Sequence, residues 1–122
     1  ILPRESKHPG YDTTHYDSYV KYFLFGDSKK PIPDNFRVFN KVGMAYGYLT
    51  DIAYIVDFES KVEFRLSAVI HVNKDQIYND GIYEYSKIGL PFLANLGKVI
   101  YEYELNRKKK FLPDLSKFKI DY

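Results

Sequence analysis

Three residues, Glu59-Ser60-Lys61, are all that separates two apolar runs at about 49–58 and 62–72. A link this short folds the runs back on each other as an antiparallel hairpin, because a parallel crossover needs a dozen residues or more. The second run alternates: Val62, Phe64, Leu66, Ala68, Ile70 and Val72 share one face, while Glu63, Arg65, Ser67 and His71 share the other with Val69. The first run is apolar on both faces, with Ile52, Tyr54 and Val56 on one and Ala53 and Ile55 on the other. A strand of that kind is expected to be covered on both sides. An earlier strand, about Phe36 to Lys41, ends in Lys41-Val42-Gly43, and a short Gly-containing link leads straight into the 49–58 run.

The flanks are read from their punctuation. Residues 1–15 hold Pro3, Pro9, Gly10 and scattered charge without a period, which suggests an extended arm. Asp17 is placed to cap a short helix through Phe25, with Tyr19, Tyr22, Phe23 and Leu24 apolar and Lys21 exposed. A loop follows at 26–35, closed by Pro31, Pro33 and Asp34-Asn35. After a polar stretch at 73–81, Pro91 fits a first helical turn. Phe92, Leu93, Leu96, Val99, Ile100 and Tyr103 then form one stripe at helical spacing near 90–105. Gly97 suits a close approach of helix to sheet, and Arg107 to Lys110 forms a basic last turn. The expected architecture is α+β, an antiparallel sheet with a C-terminal helix packed on one face. Residues 1–35 form an arm with a short helix and loop, and 36–122 the C-terminal α/β part.

With 122 residues and 45% apolar composition the chain has material for one domain with a real core. A net charge of +2 gives little pull on nucleic acid or anionic lipid. No apolar run approaches the ~20 residues of a membrane helix. The opening Ile-Leu-Pro-Arg-Glu-Ser-Lys is no secretory signal, and the lack of an initiating Met suggests a processed or truncated product. Zero cysteines exclude disulfides and thiolate metal sites. His8, His15 and His71 lack the spacing of a helical metal site, and His71 reads as a solvated or hydrogen-bonded strand residue. Thirteen Tyr and nine Phe without Trp suit half-buried strand surfaces, where ring and hydroxyl meet different surroundings. Asp51 and Asp57 bracket the 49–58 run and are expected to form ion pairs with Arg37, Lys41 or Arg65.

The order strand, Lys41-Val42-Gly43, Gly-containing link, strand, hairpin at 52–73 and helix near 90–105 resembles the C-terminal part of serine β-lactamases and penicillin-binding proteins, whose lysine box is Lys-Thr-Gly. The resemblance covers roughly the last two-thirds of the chain. It implies that Lys41 lies on an edge strand lining a cleft, holding a substrate carboxylate and tuning a serine hydroxyl. Gly43 would let substrate backbone lie against the strand, and Met44 would offer its main-chain N–H as one oxyanion donor. Tyr46 would border the substrate. Val42 replaces the family's threonine, removing a hydroxyl worth about 1–3 kcal/mol where its partner is left unpaired. Relatives that vary there act as general acyl hydrolases or D-amino-acid peptidases, and others have lost catalysis.

The family's nucleophile is a Ser-x-x-Lys at the start of a helix, because the lysine one turn on activates the serine. Ser18-Tyr19-Val20-Lys21 and Ser116-Lys117-Phe118-Lys119 match in letters. Too few residues lie between Ser18 and Lys41 for the all-helical lobe that separates these motifs in the family, and no Ser-x-Asn or Tyr-x-Asn occurs. The chain therefore reads as a fragment of a parent hydrolase, inactive alone. The missing parts would be an N-terminal helix, two strands and the helical lobe. The implied substrate is a small peptide, amide or ester, with no metal or cofactor, and the implied location is periplasmic or secreted. Its protein partner would be the rest of the hydrolase fold, or another copy of itself. Competing readings are a non-catalytic module that binds cell-wall glycan or peptide on exposed tyrosines such as Tyr46 and Tyr48, and an interaction or assembly domain whose arm at 1–35 docks onto a partner.

Overall fold

The computed structural model describes residues 15–120. The expected arm lies almost wholly outside them, as does His8. Strands β1 (Phe36–Ala45), β2 (Tyr48–Asp57) and β3 (Val62–His71) form one antiparallel sheet in the order β1-β2-β3. β1 does not stop at Lys41 but runs on to Ala45. A two-residue loop, Tyr46-Gly47, then turns the chain. Both loop residues have positive φ, 50° and 85°, as the tight hairpin turns that match strand twist require. A π turn at Tyr85–Gly89 leads into helix α1 (Leu90–Asn106), with Pro91 in its first turn. This is the expected α+β class.

The core lies between the sheet and α1. Phe36, Val38, Leu49, Ala53, Ile55, Val62 and Phe64 meet Leu93 of α1 and the inserted residues Tyr22, Phe23, Leu24 and Ile32. The 3.6-residue period of α1 is real, yet its stripe divides. Leu93 is fully buried, whereas Phe92, Val99 and Tyr103 are 47%, 61% and 63% exposed. Beyond Asn106 the helix ends at Arg107, so the basic run lies past the last turn rather than in it.

Four expectations are corrected. Residues 17–25 are turns, not a helix, with Val20 and Leu24 at positive φ. The cause is a competing acceptor: the Asp51 carboxylate takes the N–H groups of Tyr22 (3.0 Å) and Phe23 (3.3 Å), which an α-helix would send to its own carbonyls. Lys21 is buried rather than exposed, donating to Val38 O and Asn40 Oδ1 at 3.1 Å each. Asp17 accepts from the Ile32 N–H at 2.8 Å and caps no helix.

Second, Asp51 and Asp57 are not salt-bridged across the sheet. Both are buried and satisfied by neutral donors. Asp57 accepts from Asn35 Nδ2 (2.6 Å), Tyr101 OH (2.6 Å) and the Glu59 N–H (2.9 Å), joining the β2–β3 turn to the entry of β1 and to α1. Third, β2 is fully covered on one face only. On the other, Ile52 is 60% exposed, and cover is confined to the end nearest the β2–β3 turn. There a C-terminal strap brings Phe118 against Phe39 and Tyr54, with ring centroids 5.8 and 5.2 Å apart. Val56 at this end is completely buried. Fourth, Gly97 meets the inserted segment, not the sheet: a Cβ there would lie 2.6 Å from Leu24 N.

Three outcomes follow from this packing. Asp51→Ala takes the acceptor from two buried N–H groups at about 1–3 kcal/mol each, so urea unfolding is expected to register a loss of about 3 kcal/mol or more. Gly97→Ala is expected to lower the thermal midpoint, although alanine is favoured by about 1 kcal/mol in an unencumbered helix. The two aspartates respond to pH with opposite sign. Burial pushes the Asp51 carboxyl up, against hydrogen bonds from Asn40, Tyr22 and Phe23 and the nearby Lys21 charge, so its ionisation costs stability as pH rises past the ordinary carboxylate range. Burial also acts on Asp57, but hydrogen bonds from Tyr101, Asn35, Ser60 and the Glu59 N–H outweigh it and hold the carboxyl low. Its stabilisation is complete above the unfolded value of about 4 and is lost as pH falls through the depressed value. Asp57→Asn is therefore expected to be less stable than wild type at neutral pH, with the difference shrinking in acid denaturation curves.

Candidate functional site

β1 is an edge strand, and its hydrogen-bond phase decides what it offers. The Phe58 N–H donates to Asn35 O at 2.9 Å, so by antiparallel alternation Arg37, Phe39, Lys41, Gly43 and Ala45 bond inward to β2. The backbone groups of Val38, Asn40, Val42 and Met44 then point out of the sheet. Lys21 Nζ takes Val38 O, and Lys41 Nζ takes Val42 O at 2.8 Å. The Met44 N–H faces outward on this edge.

Side chains alternate the other way. Lys41 and Gly43 lie on the face opposite α1, opposite Ile52 and Thr50 in register. Lys41 is exposed. Val42 packs against the hydrophobic core, so its side chain is turned from the face that carries Lys41. Gly43 has a local steric reason beside any ligand: a Cβ there would stand 2.7 Å from the Thr50 methyl. Met44 and Tyr46 are 52% and 55% exposed at the hairpin end.

Behind this edge lies a network that sequence reasoning missed. Asn40 Nδ2 donates to Val20 O (2.8 Å) and to Asp51 Oδ1 (3.0 Å), while its Oδ1 receives Lys21. A cleft of about 550 Å³ opens here, lined by Val20, Lys21, Phe39, Asn40, Lys41 and Val42. Two lysines thus flank one stretch of β-edge, Lys21 buried and Lys41 exposed. The available signal was Asp51 itself, a lone carboxylate inside an apolar run. Its partners could not be read, because they come from a segment whose turns have no local pattern.

A second cleft, about 600 Å³, is bounded by Phe39, Ile52, Tyr54, Arg65, Lys117 and Phe118. Arg65 lies 5.4 Å from the Tyr54 ring centroid, and the Tyr54 hydroxyl donates to the Glu63 carboxylate. Burial, with the Glu63 hydrogen bond and charge, pushes the Tyr54 phenol up to about 12. At the hairpin end His71 stacks on Tyr48 at 4.1 Å and faces Tyr78 at 6.0 Å.

Neither Ser-x-x-Lys match stands on an α-helix. Ser18 sits in a turn, its hydroxyl donating to Ser28 O, while the Lys21 ammonium goes to β1. Ser116 opens a 3₁₀ turn. Among the described residues no three His, Asp or Glu side chains gather as a metal cage, and no helix is long and apolar enough to cross a membrane. No protein-family model, curated protein or solved structure matches this chain.

The Tyr54–Glu63 pair is open to direct measurement. In an ultraviolet titration Tyr54→Phe is expected to remove a phenol that ionises near 12. Glu63→Gln is expected to bring that step down toward the ordinary tyrosine value of about 10.

Proposed function

We propose that this chain is the C-terminal part of a serine acyl-hydrolase of the β-lactamase and penicillin-binding-protein type. The observation that carries the reading is the exposed residue Lys41, its ammonium at the outward Val42 carbonyl, on an edge strand whose outward N–H groups include that of Met44. An extended peptide, amide or ester substrate would lie along β1 as an added strand, drawing affinity from the outward N–H groups, since Lys21 and Lys41 occupy the Val38 and Val42 carbonyls. The Lys41 ammonium would hold its carboxylate, and the Met44 N–H would face the oxygen that gains charge when a serine from the missing lobe attacks. A fixed charge on a strand needs little reorganisation as the reaction proceeds.

Incomplete cover elsewhere supports the fragment reading. Leu66, Ala68 and Ile70 of β3 are only partly buried on the face toward α1, and the outer half of the α1 stripe is exposed. Such surfaces suit the additional helix and strands of a larger sheet. The whole protein would work in the periplasm or outside the cell. A second reading, a non-catalytic module for cell-wall glycan or peptide, is favoured by the exposed rings of Tyr46, Tyr48 and Tyr78.

A covalent serine probe separates the two. The chain joined to the polypeptide that precedes it is expected to be labelled, and this chain alone is not. Lys41→Ala in the longer protein is expected to cut turnover by about a hundredfold or more, the scale of losing one preorganised electrostatic group. Undiminished turnover in that variant overturns the assignment, and an unlabelled long protein that binds glycan supports the second reading.

A further inference from the structure

Charge is not spread evenly along this chain. Residues 107–119 carry six basic side chains and one acid, whereas the rest carries twelve basic residues and fifteen acidic ones. The small net charge of +2 therefore hides a strap of net +5 joined to a remainder of net −3. The basic run starts where α1 ends, so it lies past the turn in which it would serve the helix dipole. Arg107 is tied to Glu104 by a salt bridge of 2.6 Å. Lys108, Lys109 and Lys110 form no salt bridge with any carboxylate among the described residues.

Directly after the run stand Phe111 and Leu112, 78% and 69% exposed, the two most exposed large apolar side chains among the described residues. The strap is able to bury apolar groups, because Leu115 is closed and Phe118 packs on Phe39 and Tyr54. Phe111 and Leu112 stay in solvent beside such neighbours. Their supports are fixed. On one side Lys109 Nζ donates to Lys61 O at 2.8 Å, and on the other Pro113 restricts its own φ and biases Leu112 to extended backbone. Charge and apolar surface also meet. The Lys110 ammonium lies 5.5 Å from the Phe111 ring centroid. Arg107, Lys109, Lys110, Phe111 and Leu112 border one cleft of about 400 Å³, whose one acid, Glu63, accepts from the Tyr54 hydroxyl.

We propose that this strap docks the protein on an anionic lipid bilayer, with Phe111 and Leu112 entering the boundary between headgroups and acyl chains and Lys108, Lys109 and Lys110 against lipid phosphates. Such a bilayer presents a layer of negative charge with hydrocarbon directly beneath it, and the strap carries the matching pair of surfaces side by side. Nucleic acid would answer the lysines and leave Leu112 in water. An apolar protein pocket would cover Phe111 and Leu112 and leave the lysines without counter-charge. The contact is peripheral: no helix among the described residues crosses a membrane, and none is needed. The tip shares no residue with the β1 edge, so the docking and the hydrolase reading stand or fall separately.

The chain contains no tryptophan, so Phe111→Trp places a single reporter at the tip. Its emission is expected to shift to the blue on vesicles of equal parts phosphatidylserine and phosphatidylcholine, and to stay unshifted with phosphatidylcholine alone. The wild-type chain is expected to co-sediment with the mixed vesicles and to be released by salt, which shortens the reach of charge to about 3 Å at 1 M. Lys108→Gln with Lys110→Gln is expected to weaken that binding about tenfold or more, at roughly fivefold for each surface lysine. Phe111→Ser with Leu112→Ser is expected to weaken it about tenfold or more through lost apolar burial. Lys74→Gln with Lys87→Gln removes the same charge from exposed sites beyond His71, at the end of β3 opposite Lys61, and is expected to leave binding unchanged. Circular dichroism checks that each variant is folded.

A folded wild-type chain that ignores the mixed vesicles overturns the proposal. So does an equal loss from both lysine pairs, undiminished binding in the Phe111 and Leu112 variant, or an unshifted tip emission on bound vesicles. Binding to a single-stranded oligonucleotide as tight as to the mixed vesicles, and indifferent to Phe111 and Leu112, overturns it in favour of nucleic acid. A failed serine probe with intact vesicle binding removes the hydrolase reading alone, and the opposite pair of results removes the docking alone.

Discussion

The buried carboxylate of Asp51 is the interaction on which the arrangement of this chain depends. Placed in the middle of the central strand, it must find donors or remain a costly charge in an apolar surround. It finds them in the backbone of Tyr22 and Phe23 and in Asn40. Those bonds pull residues 20–25 out of helical geometry and into the space between α1 and the sheet, where Phe23 is completely buried. The same network brings Lys21 to the outward carbonyl of Val38, so it also sets the β1 edge.

A protein of this size has little interior, and the distribution of its apolar surface decides what it can do alone. Here α1 and the inserted segment cover most of β2 and the first half of β1, while β3 keeps a half-open face and, like β1, an edge with no strand beside it among the described residues. On the opposite face the strap closes only one end, leaving Ile52 and Val69 60% and 63% exposed. Open edges and partly covered faces attract further polypeptide. Two surfaces with different chemistry result: a lysine-flanked edge at β1 and an apolar shelf at β3.

Much of the fold was legible because it is local. The two-residue period of 62–72, the short turn before it and the apolar run at 49–58 identify the hairpin, since side-chain alternation and linker length leave few alternatives. The helix was also legible from Pro91 and its stripe. Its burial was not, because periodicity marks which side chains share a face without saying how much of that face a neighbour reaches. Leu93 is sealed and Val99 open for that reason.

Sequence alone determined the strand order along the chain, the hairpin, the helix and the presence of a Lys-Val-Gly stretch, which the structure places inside β1 rather than after it. Tertiary structure decided the rest. It made Asp51 and Asp57 hubs for neutral donors instead of ion pairs, turned Val42 toward the core and Lys41 toward solvent, and converted an apparent short helix into an inserted loop. Each outcome turns on hydrogen bonds or contacts between residues far apart in sequence. No local pattern of residue types encodes the partner that a buried polar group will meet once the chain closes around it.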